Sequence, residues 1–146
     1  MNETTKIEGV IYPLPYNFAM NIFKKKKNIF VKYLTHEPTK KTEVFLRKGM
    51  KLIIYISKSN KSVIGEAVID EIYFMNCLEI LSKFKSKLFI SESDLRKYSE
   101  GIEHKKAQVL KIKDIVLYHK EKPVKKPITM TGIYLTNQNK KSILGI

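Results

Sequence analysis

The sequence predicts an α+β fold: a small, mostly antiparallel barrel with helices packed at its ends. Three observations lead there. Residues 48–72, KGMKLIIYISKSNKSVIGEAVIDEI, read as two strands joined by a polar loop, the strongest hairpin signal in the chain. Within them LIIYI is apolar on both sides of its pleat, as in a strand buried on both faces or in a closed barrel. The segments then run strand, helix, strand, strand pair, helices, strands, with too few helices to cover both faces of a parallel sheet.

The elements justify themselves in order. Residues 6–12 (KIEGVIY) read as a first strand, broken by Pro13 and Pro15. Pro15 suits the first turn of a helix, where a missing N–H costs nothing. Phe18, Ala19, Ile22 and Phe23 recur at helical spacing, and the helix ends in Lys24, Lys25, Lys26 and Lys27, cations that complement the negative end of its dipole. Residues 28–34 (NIFVKYL) read as a second strand, and residues 44–46 as a short one. In the central hairpin Gly65 marks a bulge or a close approach of backbone. Residues 77–84 are apolar at 77, 78, 80, 81 and 84, a short amphipathic helix. Ser91 begins another as its N-cap, with acids in the first turn and Gly101 at its end. Residues 108–112 and 115–118 read as strand interrupted at Lys113 and Asp114, residues 120–127 as a basic, proline-bearing connector, and residues 128–135 as a last strand. One domain over residues 1–135 is expected, followed by a loose basic tail over residues 136–146 that a partner orders.

Composition sets the bounds. At 146 residues, 43% of them hydrophobic, the chain is long enough for one well-filled core. A single cysteine excludes an internal disulfide framework and points to a reducing compartment. Without an apolar run of membrane length or a signal-peptide pattern, a soluble cytoplasmic protein is expected. The net charge of +14 is regional: residues 66–103 carry 8 acids and 5 bases, while the remainder carries 6 acids and 23 bases. Such an excess calls for a polyanion, nucleic acid before membrane. Only two of the 28 basic residues, Arg47 and Arg96, are arginine. Lysine holds phosphate as a point charge and does not supply the planar fork that reads a base, so backbone contacts should dominate.

Catalytic and metal chemistry find little footing. His36, His104 and His119 are far apart in sequence, whereas a metal site needs several converging ligands; no metal or cofactor is expected. Cys77 opens an apolar helix and reads as a buried, inert thiol. The glycines form no phosphate loop. The interleaving of Tyr12, Tyr16, Phe30, Lys32 and Tyr33 with the lysine run is more informative, because aromatic faces stack on unpaired bases while lysines track phosphate. The phenylalanines read as core.

The segments EGVIYPLPYNFAMNIF, FVKYLTHEP, KGMKLIIYIS, VIGEAVIDEI and KKPITMTGIYL together resemble an uncharacterised archaeal family of the PUA-like superfamily, related to ASCH and EVE domains, over roughly residues 7–135. The resemblance implies a pseudo-barrel with a cleft and an association with RNA or modified bases. Catalytic ASCH proteins carry G-x-K-x-x-E-x-R after the first helix; aligned on Lys27, this chain has Lys25, Phe30 and Lys32 in place of the glycine, glutamate and arginine. Residues 41–47 have the right residue types at the wrong spacing. The expected function is therefore a non-enzymatic RNA-binding protein, ribosomal or ribosome-associated, whose partners are ribosomal RNA or ribosomal proteins, with no membrane and no small-molecule substrate. Phosphate contacts are expected from Lys24, Lys25, Lys26, Lys27, Lys32, Lys40, Lys41, Lys48, Lys125, Lys126, Lys140 and Lys141. The alternatives are an EVE-like reader holding a modified nucleotide in a pocket of Tyr12, Tyr16 and Tyr55, and, ranked lower, an ASCH-like ribonuclease.

Overall fold

The computed structural model describes residues 6–34, 46–56, 61–124, 128–129 and 131–144. Along them run β1 (Ile7–Pro13), α1 (Tyr16–Phe23), β2 (Ile29–Lys32), β3 (Lys51–Ile56), β4 (Ser62–Met75), α2 (Cys77–Phe84), α3 (Glu92–Tyr98), β5 (Ala107–Pro123), β6 (Ile133–Thr136) and α4 (Lys140–Leu144). The expected hairpin is β3 and β4, paired antiparallel from Lys51 opposite Val68 to Ile56 opposite Ser62. It lies mid-sheet, in the strand order β2-β5-β4-β3-β1-β6. Every pair is antiparallel except β1 with β3, which run parallel with Val10 opposite Leu52.

The sheet is a half-barrel, closed by side chains across its hollow face. β1 and β2 are far apart in the strand order, yet Tyr12 stacks on Phe30 with ring centroids 5.5 Å apart. Gln108 of β5 donates its amide Nε2 to the Tyr12 Oη at 3.3 Å. The hollow face holds the main core, where Val10, Tyr12, Leu52, Ile54 and Ile69 meet α1, α2 and α3. The outer face carries a smaller core of Ile11, Ile53, Tyr55, Val63 and Leu135, over which Ile143 of α4 packs. Strand side chains alternate between faces, so the apolar run LIIYI fills both cores, as expected of a strand buried on two sides. No described helix is long and apolar enough to cross a membrane.

Several expectations sharpen. Gly65 sits at the bulge where the β3–β4 register shifts, and a Cβ there would fall on the Phe23 ring and the Val116 carbonyl oxygen. Helix α1 seats itself at that point. The break expected at Lys113 and Asp114 is a bulge inside one long strand, with Asp114 at φ 49°. Pro15 is the N-cap of α1 rather than its first residue. Ser91 caps α3 as expected, accepting the Asp94 N–H at 3.0 Å. Two readings are corrected. The last strand begins only at Ile133, because Gly132 turns the chain at φ 77° and donates to the Thr129 carbonyl. The stretch read as a loose tail is tied down where it is described: Asn139 accepts the Thr136 N–H at 2.8 Å and Ile143 is buried. The short strand expected at residues 44–46 falls largely outside the described residues.

Two predictions follow from this packing. Gly65→Ala should cost about 1–3 kcal/mol through forced displacement of Phe23 and the β5 backbone, read as a lowered urea midpoint. Burial pushes the Tyr12 phenol up to about 12, while an unfolded tyrosine ionises near pH 10. Between those values the unfolded chain holds fewer protons than the folded one, so stability is intact below pH 10 and falls as pH rises. The Tyr12 share of that loss should approach about 3 kcal/mol by pH 12. Tyr12→Phe should lose about 1–3 kcal/mol at neutral pH, because the Gln108 amide is left unpaired, and should show a shallower alkaline decline in denaturant titrations.

Candidate nucleic-acid interface

A cleft of about 220 Å³ opens between α1, β2 and α3. Its floor and walls are Pro13, Leu14, Pro15, Phe18, Phe30 and Phe89, and its polar edge is Lys32, Asp94 and Tyr98. The sequence builds it locally. The two prolines carry the chain out of β1 in an extended path, and Leu14 N–H donates to the Tyr55 carbonyl at 2.9 Å, fixing that path to β3. Phe89 leans on Phe30 with centroids 4.9 Å apart and meets Phe18 edge-on at 6.2 Å. Phe89 also donates its N–H to the Ile29 carbonyl at 2.9 Å, so the segment before α3 is stitched to β2. Helix α3 is held by tyrosines: Tyr98 Oη accepts the Tyr33 N–H and Tyr33 Oη donates to Ser99 Oγ, both at 2.9 Å. Burial raises both phenols. Lys32 Nζ stands 5.5 Å over the Tyr12 ring, and burial lowers its ammonium pKa. The result is a mostly apolar slot with one cation and one carboxylate at its rim.

The lysine run forms the cleft's neighbour. Lys24, Lys25 and Lys26 are exposed at the end of α1. Lys24 caps the helix, its N–H donating to the Met20 carbonyl at 2.8 Å, and Lys26 takes a left-handed φ of 58° that turns the chain toward β2. Lys27 Nζ donates to the Ser86 carbonyl at 2.8 Å. That bond brings in two exposed lysines missed in the sequence, Lys85 and Lys87. They were hidden because residues 66–103 are acidic in sum; in the fold, Glu92 is occupied by Lys85 and Arg96, each at 2.9 Å.

Other predicted contacts are not gathered with these. Lys48 pairs with Glu71 at 3.6 Å, and Lys140 with Glu8 at 3.1 Å. Lys140 and Lys141 belong to α4, on the opposite face of the sheet. Lys40, Lys41, Lys125 and Lys126 lie outside the described residues. The tyrosine pocket is a correction: Tyr12 and Tyr55 are each only 2% exposed, one in the hollow-face core and the other in the outer core. Tyr12 is opposite Ile54, next to Tyr55, and neighbours along a strand point to opposite faces. Tyr16 is 61% exposed and lies outside the cleft.

A second cavity of about 480 Å³ lies under α4, lined by Glu8, Lys51, Glu66, Tyr118, Lys122 and Lys140 among others. Its charges answer one another. Lys51 Nζ is 2.8 Å from Glu66 Oε2, and Tyr118 Oη donates to Glu66 Oε1 at 2.9 Å. Burial alone would raise the Glu66 carboxyl, but Lys51 and Tyr118 hold it below the usual carboxylate range. Burial and the same carboxylate push the Tyr118 phenol up. Among the described residues no three His, Cys, Asp or Glu side chains converge as a metal set.

Comparison with known proteins places this geometry. Residues 7–137 match a family model described as a domain of unknown function, DUF365. An uncharacterised protein of Methanocaldococcus jannaschii is 34% identical over 105 residues, 65% of this chain and 97% of that protein. The crystal structure of ASCH from Zymomonas mobilis superposes with a TM-score of 0.59 at 25% identity, covering 78% of this chain and 70% of that one. A serine-to-alanine mutant of that Zymomonas mobilis protein gives 0.61 at 23% identity, covering 87% and 78%.

Proposed function

This chain belongs to the DUF365 family and has an ASCH-like fold of the PUA-like kind, and on that basis we propose that it binds RNA without cleaving it. The observation that carries the reading is that one helix, α1, lends Phe18 to the aromatic cleft and ends about two turns further on in exposed lysines. Lys24, Lys25 and Lys26, with Lys87 beside them, bind the phosphate backbone, while Lys85 is engaged by Glu92. The cleft takes one unpaired base. Its volume of about 220 Å³ lies below the roughly 300–1,000 Å³ of drug-sized pockets and suits a single flat ring system laid against Phe18 and Pro15, over the packed Phe30–Phe89 pair. Lys32 and Asp94 offer that ring one donor and one acceptor. Support for a binding rather than a cutting role comes from Phe30, which stands where the catalytic ASCH pattern has its glutamate and is a wall of the cleft. The EVE-like reading of a held nucleotide is favoured by the same cleft, with the phenylalanines in place of the tyrosines. The ribosomal reading is the same binding applied to a larger RNA, and co-sedimentation with a ribosomal subunit in low but not high salt is its expected mark.

The test is fluorescence anisotropy with a labelled single-stranded RNA 12-mer across a salt series. Affinity should fall steeply with salt, and Lys24→Ala, Lys25→Ala and Lys26→Ala should each reduce the log–log slope by about 0.7–1. Lys48→Ala and Lys140→Ala should change it far less, since those cations sit elsewhere in acidic company. The chain has no tryptophan, so Phe18→Trp supplies a reporter in the cleft whose emission should change with single-stranded but not duplex RNA. The RNA should be recovered intact with or without divalent metal. Binding indifferent to salt and to the triple lysine variant would overturn the reading, and cleavage lost on substitution in the cleft would overturn its non-enzymatic half.

A further inference from the structure

A second groove shares helix α1 with the cleft. Pro15 lines the cleft, and the next residue, Tyr16, opens a groove of about 380 Å³ between α1 and the outer half of β5. One wall is Tyr16, Met20 and Lys24, successive positions of a single helical stripe; the other includes Leu117, His119 and Glu121, alternate residues of one strand face. Eight helical residues and four strand steps both give a length of about 12 Å. The groove thus starts at the base cleft and finishes at the first of the exposed lysines.

We infer that this groove carries the nucleotides flanking the one held in the cleft, so that the bound RNA is an extended single strand running from the cleft past Tyr16 to Lys24. The inference rests on the RNA-binding reading and gives it a direction and a stacking residue. Tyr16 is 61% exposed and Leu117 is 42% exposed, large flat or apolar surfaces left uncovered in the groove that Lys24 borders. Bases stack on such surfaces whatever their identity. Lys24 and His119 border the groove, and its acid, Glu121, accepts a hydrogen bond from Ser62 Oγ at 3.0 Å. A peptide strand adding to β5 is the less suitable occupant. The bulge at Asp114, the lysines at 113, 120 and 122 and Pro123 are the devices by which sheets discourage a further strand.

The experiment compares the labelled 12-mer with a nucleoside monophosphate, which fills only the cleft. Tyr16→Ala should weaken the 12-mer about tenfold, the equivalent of one lost base stack, and leave the monophosphate unaffected; Tyr16→Phe should restore the 12-mer. Leu117→Glu, which puts a carboxylate into the groove at an exposed site, should weaken the 12-mer at least as much. A wild type that binds no 12-mer removes the RNA-binding reading and this inference with it. A wild type that binds it while Tyr16→Ala and Leu117→Glu bind it equally well removes this inference alone. A dimer in sedimentation equilibrium that Leu117→Glu dissociates would give the groove to a second copy of the chain, and so also overturn it.

Discussion

The contact on which the rest depends joins two strands far apart in the sheet. Tyr12 of β1 stacks on Phe30 of β2, and Gln108 of β5 reaches the Tyr12 hydroxyl. An open six-stranded sheet has no covalent or ladder constraint that makes its ends approach. Here three buried side chains supply it, and the polar atoms among them satisfy one another, as burial requires. Once the sheet is curled, Phe30 has one ring face toward Tyr12 and another part toward Phe89. The element that closes the half-barrel is therefore also the inner wall of the cleft, and the position of α3 follows through Phe89 and Tyr33.

That double use of Phe30 explains how far the sequence could be read. The hairpin of β3 and β4 was legible because its strand is apolar at every position, a pattern that only burial on both faces satisfies. The apolar stripe of α2 and the Ser91 N-cap of α3 were legible because they are local; the end of α3 was placed at Gly101, but the helix stops at Tyr98 with Ser99 as its C-cap. The parallel pairing of β1 with β3 was not, since nothing in either strand's composition separates parallel from antiparallel partners. The end of the chain was misread for the opposite reason: among its described residues the anchors are Ile143, buried, and Leu144, packed beside it on the outer core, two apolar residues that follow lysines and a serine and are too few to show a pattern.

The candidate site shows the same division. The lysines at the end of α1 were found because they form a run; Lys85 and Lys87 were not, because neighbouring acids cancel them in any count along the sequence. In the fold Glu92 is shared by Lys85 and Arg96, so the acid stays with those two and Lys87 is left exposed beside the Lys27–Ser86 bond. Tyr12 and Tyr55 were chosen for lying near basic residues, yet sequence proximity says nothing about which face of a pleat a ring occupies. Of the phenylalanines read as core, Phe23 and Phe30 are buried in it and Phe18 packs against it, while Phe74 belongs to neither core; Phe18 and Phe30 also line the cleft, a second use that their apolar character alone does not announce.

This arrangement argues for what kind of specificity the protein can have. Lysines that track phosphate discriminate poorly between sequences. Discrimination must then come from the cleft, where apolar walls accept any ring and the rim has one ammonium and one carboxylate. A duplex cannot offer a base to such a slot without unpairing it, at a cost of a few kcal/mol. A loop, bulge or free end bears no such cost. On the RNA-binding reading proposed above, the selection built into this site is first of all for unpaired RNA over paired. On the same reading, any finer preference passes through Lys32, Asp94 and Tyr98, the polar side chains among the described residues that line the cleft.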